Sequence, residues 1–395
     1  MIYLKTIIYV SLFLLIINLP IFVTYNNIKY DNLLLIIGPI VGIIFFYTLM
    51  SCFGVKRFNP NFFNLNPNAN YALFIGIICN TVILRNFDIN NFIGGNIDLI
   101  RIENNEFDVD LLGQFLPLLL VYPALYIVWT FGKEKFKLDW KFFAILFCLV
   151  LFGISSGGRA YIFTTLLLYL FIAKPKIWSI KYIPLVAIVL YLFYFITIGR
   201  INKDLEFDSA AYFEVSANVE YSKWLKDESL DSDIRNFVVQ TVFYFGHSIP
   251  AFCNKVAYLD IEVFPRSILG LQPFVERQFI RFGILGHDQQ KRYSEITGLA
   301  NRSGFFEHSW STTFLDVYFH EGIIFSVLFF SLLAILFYQT TINLKFSNSL
   351  KFKVINGFNI VFIITFFLTP IFMDTTWFFT YVLLWCNGNR AYINS

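Results

Sequence analysis

The sequence predicts an all-α polytopic membrane protein of about ten transmembrane helices, with one large extracytoplasmic loop containing short helices. Three observations carry that prediction. Of 395 residues 57% are hydrophobic, only 14% are charged and 50 are phenylalanine, which is more apolar surface than one soluble core could hide. Apolar runs of about 17 to 25 residues, the length that crosses a bilayer, recur along most of the chain. One long stretch, 200–311, breaks the pattern and concentrates arginine. The chain therefore divides into spans one to seven over 1–199, the loop over 200–311 and spans eight to ten over 312–395.

In order, the spans fall at 4–24, 33–53, 70–86, 111–131, 140–156, 159–173, 181–199, 312–340, 354–373 and 376–393. The first apolar run, Ile7–Leu19, has Lys5 in front of it but no small-residue cleavage site after it, so it reads as a retained span and not a removed signal peptide. Basic residues follow alternate spans: Lys56 and Arg57; Lys133, Lys135, Lys137 and Lys141; Lys174, Lys176 and Lys181; Lys345, Lys351 and Lys353. The intervening loops are neutral or acidic, above all 88–110, which sets Asp98, Glu103, Glu106 and Asp108 against Arg101. Positive charge marks the cytoplasmic side, so both termini face the cytoplasm and the large loop faces outside. The net charge of +3 implies no nucleic acid. Five scattered cysteines, Cys52, Cys79, Cys148, Cys253 and Cys386, predict neither a disulfide framework nor a zinc site.

Residues 237–252 are apolar enough for half a span but hold Gln240, Gly246, His247, Ser248 and Pro250. A full crossing there would place Lys345–Lys353 outside, so the segment reads as interfacial or re-entrant. Within the loop, 204–233 is acidic, with Glu214, Glu220, Asp227, Glu228 and Asp231, and its Tyr212, Val215, Val219 and Trp224 are spaced as in an amphipathic helix covering the surface. From 264 to 302 the charge reverses, and Arg266, Arg277, Arg281, Arg292 and Arg302 carry it. A guanidinium presents a planar fork of donors to phosphate or carboxylate and stays charged when partly desolvated. These arginines could also pair with Glu276, Asp288, Glu295 and lipid headgroups.

Two more arginines fall on the predicted outer face. Arg159 closes the turn Ser155-Ser156-Gly157-Gly158-Arg159, and Arg200 ends the seventh span in Thr197-Ile198-Gly199-Arg200. Charges at a membrane boundary can snorkel to headgroups, but arginine is disfavoured on that side, and two beside an arginine-rich loop fit a lipid-linked phosphate or pyrophosphate. At the entry to the eighth span, Asp316 and His320 are four apart and share a helix face, with Glu321 beside them. Ionisable residues within a span avoid lipid, so these should line a cavity open to the outside or pair to fix helix packing. His308 stands nearer the surface, where a general base could reach a sugar hydroxyl.

About ten spans, inward termini, one dominant outer loop late in the chain, the Ser156-Gly157-Gly158-Arg159 turn ahead of it and a His- and Gly-bearing entry into the next helix resemble the bacterial polysaccharide polymerases of the O-antigen polymerase or Wzy type. The resemblance covers the architecture of nearly the whole chain. The related O-antigen ligases place a glycine about ten residues after a His-Asn/Ser/Gln pair. Here His308-Ser309 begins such a pattern, but Gly322 lies too far along. The arginine-to-glycine spacing of polymerase outer loops is matched approximately by Arg292 and Gly304, and no role is carried over from it.

What the resemblance implies is a GT-C-like fold in the bacterial inner membrane, with neither metal nor cofactor. It would polymerise undecaprenyl-pyrophosphate-linked repeat units at the outer face of that membrane. The acceptor hydroxyl would attack the anomeric carbon of the donor glycan through a transition state with oxocarbenium character. Arg159, Arg200 and some of Arg266, Arg277, Arg281, Arg292 and Arg302 would stabilise the departing pyrophosphate, and His308 or the Asp316/His320 pair would take the proton. The lipid-linked glycans, membrane lipids and a chain-length regulator protein are the implied partners. An O-antigen ligase, a flippase of lipid-linked sugars and a membrane acyltransferase are the other classes. A flippase would carry small loops and repeated span patterns, and an acyltransferase an ionisable motif in its first spans; neither feature is found.

Overall fold

A computed structural model of the protein describes residues 2–19, 22–25, 30–84, 111–133, 139–155, 159–173, 210, 214, 219–227, 231–259, 313–347, 349–366 and 374–388. These residues are mostly helical, as expected for an all-α membrane protein. Among the described residues, three helices are long and apolar enough to cross a membrane: Asp31–Cys52, Phe115–Gly132 and Gly322–Phe346. The predicted seventh span, 181–199, lies outside the described residues.

The chain forms two compact units. The first comprises Met1–Val55, Lys203–Tyr338 and Phe362–Met373; the second comprises Lys56–Asn202, Gln339–Val361 and Asp374–Ser395.

In the first unit, α1 (Ile2–Ile17) stops earlier than the apolar run that predicts it. The Asn18 amide donates back to Leu14 O (2.7 Å) and Pro20, which has no N–H, follows. Instead of continuing to 24, the chain forms β1 (Val23–Tyr25), which pairs antiparallel with β2 (Val219–Tyr221) in the register Val23↔Tyr221, Thr24↔Glu220 and Tyr25↔Val219. The helical spacing read across 212–224 is therefore corrected at Val219, which is strand, and a 3-10 turn follows at Lys223–Lys226. The backbone N–H of Tyr221 also donates to the Glu214 carboxylate (2.8 Å). Val23, Ala210, Val219, Tyr221, Leu225, Val239, Val242, Phe243 and Ala251 form one buried cluster, so the acidic half of the loop has a small core and is more than a surface cover.

Residues 237–252 lie in two helices, α8 (Ser232–Gly246) and α9 (Ser248–Ala257), where the sequence suggested one. Asp231 caps α8 by accepting from the backbone of Asp233 and Ile234. Buried His247 sits at the junction, its ring stacked on Phe243 and its Nδ1 against Phe243 O. A side chain at Gly246 would press on Ile17 and Tyr25, so the end of α1 closes directly over this junction.

The second unit contains α3 (Ala69–Leu84), α4 (Leu111–Leu119), α5 (Val121–Gly132), α6 (Trp140–Ser155), α7 (Arg159–Ala173) and α12 (Thr375–Cys386), and most of α11 (Leu350–Thr365). The single span predicted over 111–131 is matched by the apolar helix Phe115–Gly132, which is interrupted at Leu120 between α4 and α5. Pro123 has no N–H for the Leu119 carbonyl, and Pro117 removes another from α4. Hydroxyls of α12 run beside this break, with Thr376 donating to Pro117 O (2.8 Å).

Helix directions in this unit follow from its contacts. At the starts of α3 and α6, Lys141 Nζ donates to Asn70 Oδ1 (2.8 Å); farther along both, Asn80 Nδ2 donates to Cys148 O (3.0 Å). Phe131, near the end of α5, meets Phe142 near the start of α6 and Tyr169 near the end of α7. Lys351, at the start of α11, donates to Trp385 O at the end of α12 (2.9 Å), and Lys353 donates to Gly132 O (2.8 Å). The starts of α3, α6 and α11 thus share one end of the unit with the ends of α5, α7 and α12. Lysines gather there: Lys351 is 2% exposed and also donates to Asn59 Oδ1 (2.9 Å) and Pro60 O (3.1 Å), while Lys345 and Arg57 lie over the Phe346 ring. Gly357 lets α11 approach α7 so closely that any side chain would strike Ile172.

Candidate active site

The opposite end of the second unit brings together the first turns of α7 and α12. Arg159 is the first residue of α7 and Tyr161 lies in the same turn. The Tyr161 ring is 5.3 Å from Trp377 and 5.7 Å from Phe152. Asp374 is the N-cap of α12, its Oδ1 accepting from the backbone N–H of Trp377 (3.0 Å) while its own carbonyl accepts from Phe378 N (2.9 Å). A carboxylate there complements the positive end of the helix dipole.

This cluster is incompletely satisfied. The Tyr161 hydroxyl is buried within electrostatic reach of the Asp374 carboxyl and beside Thr376, whose proton goes to Pro117 O. Thr376 is the hydrogen-bonding neighbour of that hydroxyl, whereas Trp377 Nε1 is buried without a partner. Asp374, partly exposed as a residue but with its carboxyl desolvated, lies in the turn before the predicted last span. Burial pushes its carboxyl up to about 6, against the backbone N–H groups of Trp377 and Thr376, which pull it down. The arrangement offers one exchangeable proton, two donors and the N-terminus of a twelve-residue helix.

Sequence reasoning passed over Asp374 as a spacer between two spans. The signal that could have found it is a lone acid followed by Thr375 and Thr376 at a span boundary, on the face predicted for Arg159. Tyr161 and Trp377 give no such signal, because aromatic residues fill these helices.

In the first unit, Asp316 and His320 lie four apart in the helical segment before Gly322, as predicted, with Glu321 next to the break. The helical run α10 (Thr313–Ser347) is two helices joined at that break: Gly322 has φ 65° and ψ −170°, a conformation reserved for glycine. Phe314 stacks on Phe330 at 5.5 Å although each is eight residues from Gly322, about 12 Å of helix rise. The segment 313–321 therefore turns back along the one that follows. The uninterrupted span read over 312–340 is corrected accordingly, and its ionisable residues precede the long apolar helix instead of lying within it. Ser326 Oγ donates to the Gly322 carbonyl exposed by the turn, and the Tyr318 hydroxyl donates to Leu35 O (3.1 Å) on α2 (Leu34–Cys52). An apolar cleft of 320 Å³ lies between α2 and α10, bordered by Gly38, Gly42, Tyr318, Ser326 and Phe330.

Arg200, Arg266, Arg277, Arg281, Arg292, Arg302 and His308 lie outside the described residues. Arg159 belongs to the second unit and Asp316 and His320 to the first. Among the described residues, no three His, Cys, Asp or Glu side chains cluster as metal ligands would. Compared with protein-family models, curated proteins and solved structures, the chain matches none.

Proposed function

We propose that the chain is a glycosyltransferase of the bacterial inner membrane that joins undecaprenyl-pyrophosphate-linked repeat units into a surface polysaccharide. One observation carries the reading: the second unit is polar at both ends, and the ends differ in kind. Lys141, Lys351 and Lys353 hold one end, and Arg159, Tyr161 and Asp374 occupy the other. The positive-inside rule turns the lysine end to the cytoplasm and the Arg159 end outward, where the lipid-linked donor presents its pyrophosphate.

Arg159 then meets the anion beside the N-terminus of α7, and both favour the charge that builds as pyrophosphate departs. Further guanidinium groups come from Arg200 and from the loop arginines Arg266, Arg277, Arg281, Arg292 and Arg302. The acceptor hydroxyl attacks the anomeric carbon, and the carbon–oxygen bond to pyrophosphate breaks with its electron pair. His308 or the Asp316/His320 pair is the base assigned from the sequence. The return at Gly322 sets the segment that carries the latter pair next to an apolar cleft, where a lipid-borne substrate would be met.

The test is to give the purified protein a lipid-pyrophosphate-linked repeat unit from its host, with and without a metal chelator, and separate the products on a gel. A ladder supports polymerisation, and its survival in chelator supports transfer without a metal. A single product larger by one acceptor points to a ligase. Lipid that crosses liposome bilayers unchanged points to a flippase.

A further inference from the structure

The lysine end of the second unit holds two kinds of cation. Lys141, Lys351 and Lys353 donate to oxygens of the protein. Lys56, Arg57 and Lys345 are exposed, and among the described residues the side chains of these three form neither a hydrogen bond nor an ion pair, the ion pair there being Lys226–Glu214. Neither 32–87 nor 322–373 contains an aspartate or a glutamate, so the sequence sets no counter-ion beside them. Asp139, the described carboxylate of this end, is engaged at the start of α6, where it accepts from Phe142 N (2.8 Å).

Two of the three converge on one ring. Arg57 Cζ lies 5.1 Å and Lys345 Nζ 5.6 Å from the centroid of Phe346, itself 60% exposed. An aromatic ring attracts a cation but neutralises none, so two like charges gathered over it favour an anion shared between them. The backbone that presents Arg57 is fixed by the last turns of α10. Gln339 Nε2 donates to Lys56 O (3.0 Å), Phe58 N donates to Gln339 Oε1 (2.8 Å) and Asn343 Nδ2 donates to Phe58 O (3.1 Å). Beside the cations, Phe58 is 60% and Phe62 75% exposed. The apolar helix Gly322–Phe346, long enough to cross a membrane, ends on the shared ring. The patch therefore lies where hydrocarbon gives way to headgroups, the layer in which exposed aromatic and basic side chains are both accommodated.

We propose that this patch binds the phosphodiester headgroup of an anionic membrane lipid. Arg57 and Lys345 share the phosphate beside Phe346, Lys56 adds to the field, and Phe58 and Phe62 enter the layer beneath the headgroups. The guanidinium brings a fork of donors to the phosphate oxygens and the ammonium a point charge. A zwitterionic lipid carries its own cation next to the phosphate and gains less. Free phosphate would meet the cations but leave three exposed rings in water, so a lipid is the occupant that uses both halves of the patch. The site depends on the membrane alone and not on the transfer chemistry proposed above.

The probe is phosphatidylglycerol, with phosphatidylcholine as its uncharged counterpart, each doped into detergent micelles of the full chain and counted by native mass spectrometry. The wild type should retain phosphatidylglycerol in preference to phosphatidylcholine. Arg57→Gln or Lys345→Gln should weaken that retention roughly 5-fold, and the two together roughly 30-fold. Phe346→Leu should weaken it at unchanged charge, whereas Lys141→Gln, which removes a charge from the same end but outside the patch, should not. These side chains are exposed, so every variant should melt with the wild type in lipid-free micelles, and binding is then the property that differs. Wild-type retention by the double variant, an equal loss in Lys141→Gln, or equal retention of the two lipids would overturn the site. Displacement of the lipid by millimolar inorganic phosphate would overturn the lipid assignment in favour of a soluble anion.

Discussion

The two ends of the second unit are built from the same helices and treat their polar groups oppositely. At the lysine end, Lys351 is as buried as a core leucine yet meets three oxygens, Lys353 closes on Gly132 O and Lys141 on Asn70. At the other end, the Tyr161 hydroxyl lies beside Thr376, Trp377 Nε1 is buried without a hydrogen bond, and Asp374 is held partly neutral by its surroundings. A cation satisfied by carbonyls at helix termini is a fastening, since those oxygens would otherwise face the interior unpaired. Trp385 at the lysine end and Trp377 at the other each leave a buried Nε1 unpaired, so the ends differ in the kind of polar group they hold: lysines bonded to oxygens at one, a desolvated carboxyl at the other.

Arg159→Ala should break the comparison most sharply. It removes the guanidinium proposed to meet the departing pyrophosphate and should lower polymer formation by roughly 100-fold or more while leaving the protein in the membrane with an unchanged melting temperature. Normal polymer from this variant, read on the same gel, would mean that the arginine only anchors the turn to headgroups. Lys351→Met does the converse. It fits the volume but leaves Asn59 Oδ1, Pro60 O and Trp385 O short of a donor, which should cost about 3 kcal/mol in stability. Specific activity of the folded fraction should not change. Loss of activity without loss of stability would contradict the division of labour between the ends.

Asp374 sharpens the comparison through pH. Its folded-state value of about 6 lies above the ordinary 3.8, so the folded protein binds the proton more tightly than the unfolded chain. That contribution is fully present below the unfolded value and is lost as pH rises through the folded one. Thermal stability of the wild type should therefore increase by an amount on the order of 2 kcal/mol between pH 7 and pH 4 relative to Asp374→Asn. Parallel pH curves for the two proteins would show that the carboxyl is not desolvated.

Much of the helical framework was legible in the sequence, because apolar runs end where charge or glycine begins: 159–173 and 140–156 reappear as α7 and α6 to within a residue. Internal breaks were less legible. Pro117 and Pro123 divide 111–132, but a run of leucine and tyrosine reads as one span whichever side of Leu120 it lies on. Gly322 looks like any helix glycine until its positive φ is known. The pairing of 23–25 with 219–221 joins residues nearly 200 apart through three-residue strands too short to show a period. Of the site, Asp316 and His320 do fall on one helical segment and Arg159, read as closing a glycine turn, opens α7, while Asp374 was hidden because its neighbours in space, Tyr161 and Trp377, come from α7 and from its own helix and look like ordinary membrane aromatics.

The smallest expected effect tests the same distinction from the fastening side. Lys141 makes a single hydrogen bond, 2.8 Å to Asn70 Oδ1, on an exposed surface at the start of α6, and its Nζ also lies 5.8 Å from the Trp140 ring centroid. Water can replace what the Asn70 oxygen loses, so Lys141→Ala should change stability by no more than about 0.5 kcal/mol. The two lysines differ in whether solvent reaches their acceptors, not in charge or in which end they occupy. Equal losses for Lys141→Ala and Lys351→Met in thermal unfolding would mean that the unit is held by its positive charge as such. A small loss for Lys141 beside a large one for Lys351 ties the fastening to buried oxygens.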